Sequence, residues 1–192
     1  MSAAALESAV RSLTGRRIDA VVYYNLPAPD PSTPADGLWD FDDWHDVVMG
    51  VQLTAADGTV FSASWDDSFA AYGVELVAAP MSHYLLNVGE AGGPTAWEVT
   101  GHPRWQALLA DPVTDAEVVW DEDPARGVPA VPLAIRLAFP GGEAWLIAGC
   151  SAVWPHDGRF HLGTDDVIVG FTRAFAARLG LLRPADSRGA RR

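Results

Sequence analysis

The chain has 192 residues, enough for one domain with a full hydrophobic core, and a formal net charge of −12. Such a field repels nucleic-acid phosphates and anionic membrane surfaces, so the reading is of no nucleic acid and no membrane as partner. A basic protein or a small-molecule ligand remains compatible with it. The single cysteine, Cys150, excludes an intrachain disulfide and sits in an apolar run where a thiol behaves as a small hydrophobe.

Every basic residue is arginine, and Ala, Gly, Pro and Asp are heavily used, a bias that fits a GC-rich bacterial genome. The first residues lack the basic and apolar regions of a signal peptide, and no window reaches 18 uninterrupted apolar residues. The expected location is cytoplasmic.

In chain order, Leu6, Val10 and Leu13 fall on one face of a helix over Ala4 to Leu13, which Gly15 ends. Ile18 to Leu26 is rich in β-branched and aromatic residues, which predicts a strand, and its run Ala20 to Tyr24, apolar on both faces, suits a central one. Four prolines make residues 27–37 a surface loop. From Leu38 to Asp67 the spacing predicts an acidic, aromatic segment opening into a hairpin. Val47, Met49, Val51 and Leu53 alternate on its first arm, Asp57-Gly58 turns, and Thr59, Phe61, Ala63 and Trp65 alternate on its second.

Further strands are expected at Gly73 to Ala79, Trp97 to Thr100 and Ala116 to Trp120, with a short helix from His102 or Pro103 to Leu109. A second long hairpin spans Pro132 to Trp154, turning at Pro140-Gly141-Gly142. Arg159 to Leu162 and Asp166 to Phe171 read as strands, then Thr172 to Leu182 as a helix. Repeated hairpins without β-α-β alternation imply an α+β fold: a largely antiparallel, twisted sheet with about three helices packed on it. The domain is read as residues 1–184, with a disordered tail over 185–192. Open sheet edges leave room for a homodimer.

Catalytic motifs are absent. There is no G-x-S-x-G elbow, no Gly-rich phosphate loop and no H-E-x-x-H metal helix. The aspartates at 40, 42, 43 and 46 fail as an EF-hand, because Trp44 takes a ligand slot, His45 stands where glycine is needed and no distal Glu follows. His156 and His161, with nearby carboxylates, offer a metal-dependent enzyme as a minor alternative. The five histidines are otherwise read as structural or surface residues, with no metal or cofactor expected, and His102 as a helix-start residue.

Eight tryptophans are more unusual. Most are assigned to the core. Trp39 and Trp44 stand apart, because they lie among Asp40, Asp42, Asp43 and Asp46, the composition of a surface that receives a cationic partner. The leading expectation is therefore a non-enzymatic, immunity-type or regulatory interaction protein binding through these six residues. The alternative is a barrel-like small-molecule-binding protein with Trp and Tyr lining a pocket.

Overall fold

A computed structural model describes residues 1–26, 39–69, 71–121, 130–152 and 158–182. The expected surface loop at 27–37, residue His156 and the C-terminal tail lie outside these residues. Among those described, helix α1 (Ala3–Arg11) is followed by strands β1 (Ile18–Asn25), β2 (Trp44–Val48), β3 (Gly50–Ala55), β4 (Val60–Asp66), β5 (Gly73–Val77) and β6 (Thr95–Glu98). Helix α2 (Pro103–Leu109) then leads into β7 (Asp115–Asp121), β8 (Val131–Phe139), β9 (Gly142–Ser151), β10 (Phe160–Gly170) and α3 (Arg173–Arg178).

The fold is α+β and mostly sheet, as the hairpin pattern implies. Its strands divide between two antiparallel five-stranded sheets, ordered β5-β4-β3-β1-β6 and β2-β10-β9-β8-β7. Inward-facing side chains of both sheets form one core, with Tyr23, Leu53, Phe61 and Leu76 from the first and Val47, Ile135, Leu146 and Val169 from the second. Leu6, Val10 and Leu13 of the first helical segment and Trp105 and Leu108 of α2 complete it. Each such aliphatic or aromatic side chain contributes about 1.5–3 kcal/mol by leaving water.

The second sheet is covered on its outer face as well. Trp44, Trp145, Ile147 and Ile168 bury beneath Phe175, Ala176 and Leu181 at α3. This double burial explains why β8 and β9 read as nearly continuous apolar runs. Thr172 caps α3 by accepting from the Phe175 N–H, but the helix stops at Arg178, short of the expected Leu182, where Gly180 takes a positive φ of 75°.

The first arm of the expected hairpin is two strands in different sheets. β2 pairs with β10, β3 pairs with β1 and β4, and only Met49 lies between them. The alternation from Val47 to Leu53 therefore breaks at a corner, where Val48 has φ 65° and Gly50 φ 152°. The Ser64 hydroxyl donates to the Met49 carbonyl (2.9 Å), and the Met49 N–H donates to the Tyr24 carbonyl (3.1 Å). A Cβ on Gly50 would lie 2.5 Å from the Ala63 carbonyl oxygen. The expected Asp57-Gly58 turn is present, with Gly58 at φ 81° and Arg16 paired to Asp57 at 2.5 Å.

Two expectations follow. Gly50→Ala should lose roughly 2–4 kcal/mol of stability in chemical denaturation, from strain and backbone overlap at the corner; a loss near zero would mean the corner is not rigid. A second outcome concerns Glu75 on β5, whose carboxyl is pushed up from 4.5 to about 7 by burial and by the neighbouring Asp66 carboxylate. The folded state holds this proton more tightly than the unfolded chain does, so the associated stability is present at low pH and is lost as pH rises through about 7. Glu75→Gln should flatten the fall in melting temperature between about pH 5 and pH 8, and an unchanged profile would refute this account.

Candidate functional site

The segment from Trp39 to Asp46 folds into a tight turn before β2. An isolated antiparallel bridge sets Asp40 opposite His45. Asp42 takes φ 65° at the tip, a conformation its short polar side chain tolerates. The Asp42 N–H donates to Asp40 Oδ1 at 3.0 Å, and the Asp46 N–H donates to the Trp39 carbonyl at 2.7 Å. The turn therefore aims the Asp40 carboxylate back at the ring of His45.

β1 supplies the floor. Tyr23 pairs with Val51 on one side and Trp97 on the other, and its side chain is fully buried. Its hydroxyl oxygen accepts from Trp105 Nε1 at 2.7 Å and lies 2.8 Å from His45 Nδ1. The junction of β6 and α2 supplies the remaining wall. His102 caps α2 with Nδ1, which accepts from the Arg104 N–H at 3.3 Å, and its Nε2 is 3.1 Å from Asp40 Oδ2. The reading of His102 as a helix-start residue is thus met, and the cap turns its other nitrogen toward Asp40.

Asp40, His45 and His102 consequently converge, with their donor atoms all within 4.8 Å of one another. His45 Nε2 is 3.5 Å from Asp40 Oδ1, too far for a hydrogen bond, and this fully buried nitrogen has no hydrogen-bond partner. Two tautomers satisfy Nδ1. If Tyr23 donates to it, the His45 proton sits on Nε2 facing Asp40. If Nδ1–H donates to Tyr23, the Nε2 lone pair is free.

Burial, with the charges of His102 and Arg104, pushes His45 down to about 3, against the pull of Asp40. Its ring is therefore neutral at ordinary pH. Burial also holds the Tyr23 hydroxyl well above its usual range, so it stays protonated. Asp40 is raised by partial burial, but the Asp42 N–H and the two imidazoles outweigh this and keep it below the usual carboxylate range. The network thus presents an ionised carboxylate to two imidazoles.

The six residues singled out from the sequence separate. Trp39 lies edge-on over His45 (4.7 Å between ring centroids) and beside His102 and Trp97. Trp44 is 5% exposed, stacked on Phe41 and beneath Phe175, so it is a core residue of the outer layer and not a surface anchor. β2 faces α3 on that side, and α3 was needed to show it. Asp42 pairs with Arg104 at 2.5 Å and Asp43 with Arg178 at 3.5 Å, which partly neutralises the acidic segment from within the chain. Asp46 is raised to about 6 by burial and the nearby Asp166. His161 is exposed on β10, apart from this cluster.

A cleft of about 460 Å³ opens beside the triad, lined by Trp39, Thr95, Trp97, Glu98, Val99, Gly101 and His102. Sequence reasoning missed His45 and Tyr23 as site residues. The His102-Pro103 pair at a helix start was the one local signal, and it carried no information about a partner 62 residues away at Asp40. Searches against protein-family models, curated proteins and solved structures gave no match.

The hydroxyl of Tyr23 is the hub of this arrangement. Tyr23→Phe should cost about 1–3 kcal/mol in denaturant unfolding, because the buried Trp105 N–H and His45 Nδ1 lose their shared partner. A variant as stable as wild type would mean that these groups find other partners.

Proposed function

We propose that this chain is a small-molecule-binding protein whose ligand occupies the cleft between Trp39 and Trp97, with its polar end at His102 and Asp40. The observation that carries the reading is the juxtaposition of a mostly apolar, aromatic-walled cleft, with Glu98 in its lining, with the His102 imidazole and the Asp40 carboxylate bonded to it at its edge. Few well-placed polar groups at the end of an apolar pocket are the usual composition of a ligand site. The carboxylate and the two indole faces favour a neutral or cationic planar molecule, since a cation gains both ion pairing and attraction to the ring faces.

The interaction-protein reading draws its support from the net charge of −12 and the acidic turn. The small-molecule reading is supported better, because Trp44 is buried and Asp42 and Asp43 already have arginine partners.

Ligand-observed NMR against a set of aromatic amines and neutral heterocycles tests the proposal. Saturation transfer is expected for planar cationic members and is expected to vanish in Trp97→Ala. Transfer that survives this substitution would move the site elsewhere, and no transfer from any member would remove the reading.

A further inference from the structure

We propose that Asp40, His45 and His102 form a binding site for a divalent first-row transition ion of the zinc class. Its open coordination positions lie on the side where His102 and Trp39 border the cleft. The ion shares Asp40 and His102 with the polar end of the cleft, but the inference does not rest on the small-molecule reading, since the chain can hold an ion with the cleft empty.

The donor set is two imidazole nitrogens and one carboxylate oxygen, which suits zinc and its first-row neighbours and leaves positions for water or a ligand. The spacing suits it too. Bonds of about 2.1 Å to a tetrahedral ion place ligand atoms about 3.4 Å apart; Asp40 Oδ1 lies 3.5 Å from His45 Nε2, Asp40 Oδ2 lies 3.1 Å from His102 Nε2, and the donor atoms of the three residues all lie within 4.8 Å of one another. The two imidazole planes stand at 87°, with centroids 4.6 Å apart, so the rings do not overlap as their edges turn toward the carboxylate.

The second observation is the orphaned His45 Nε2. A buried ring nitrogen without a partner is costly, and native structures rarely leave one without a reason. An ion selects the tautomer with Nδ1–H donated to Tyr23, whose oxygen also accepts from Trp105. Metal-binding histidines ordinarily donate their other N–H to such a partner, which fixes the ring. At His102 the proton moves to Nδ1, which gives up the long 3.3 Å bond from the Arg104 N–H, and the 3.1 Å bond between Nε2 and Asp40 Oδ2 is replaced by bonds from both atoms to the ion. The site is reachable through Asp40 and His102, whose side chains are 38% and 19% exposed.

The experiment uses tag-free full-length protein stripped with chelator, then titrated with Co²⁺ alone by visible absorption and with Zn²⁺ alone by calorimetry. One ion per chain is expected, with the intense d–d bands of a low-coordinate cobalt site. Asp40→Asn and His102→Ala, both on the accessible side, are each expected to weaken binding more than a hundredfold, and Tyr23→Phe by about 10–100-fold. His161→Ala and Trp97→Ala are expected to bind as wild type does, which separates this result from that of the cleft ligand. Absence of stoichiometric binding, wild-type affinity in both Asp40→Asn and His102→Ala, or loss of binding in His161→Ala would overturn the proposal. Near-UV circular dichroism establishes that each variant is folded before titration.

Discussion

The corner at Val48, Met49 and Gly50 is the constraint on which the rest of the structure depends. Within three residues the chain leaves one sheet and joins the other. This requires two backbone conformations that favour glycine or carry strain, and the structure holds them with bonds to Tyr24 and Ser64. The corner ties β2 to the same local region as β1. It thereby places His45, from one sheet, against Tyr23, from the other. A continuous hairpin arm would have left these two side chains in a single sheet, without the sandwich between them.

That placement creates an energetic problem that the neighbouring residues only partly solve. Buried polar groups stabilise a core only when their hydrogen bonds are complete. Trp105 and His45 satisfy Tyr23, and the cap of α2 orients His102, yet His45 Nε2 remains without a bond. The surrounding arginines add to the pattern. Arg104 and Arg178 anchor Asp42 and Asp43 at the turn, while Asp40 alone of these three points inward at imidazoles. The acidic turn thus serves two ends: two of its carboxylates fasten it to α2 and α3, and one is directed into the site.

Much of the fold was legible locally. Strand and helix positions followed from alternation, β-branched runs and caps, because those signals reside within a few consecutive residues. The outer aromatic layer was not. Trp44 among aspartates reads as an exposed anchor until α3 and Phe160 are seen to cover it, since burial on the second face of a strand depends on what packs there. The six residues proposed for a contact surface resolve into one indole over the site, one inward carboxylate, two paired carboxylates, one half-buried carboxylate and one core tryptophan.

By itself the sequence determined the α+β class, the antiparallel pairing of hairpins, the absence of nucleotide and nucleophile motifs and the acidity that disfavours phosphate-rich partners. These rest on periodicity, turn chemistry and net charge, which are properties of neighbours in the chain or of the chain as a whole. Only the tertiary structure decided that the strands divide into two sheets and that Asp40, His45 and His102 meet. The physical reason is that such convergence is fixed by a corner, a turn and a helix cap acting together, and no spacing along the chain encodes their mutual distance.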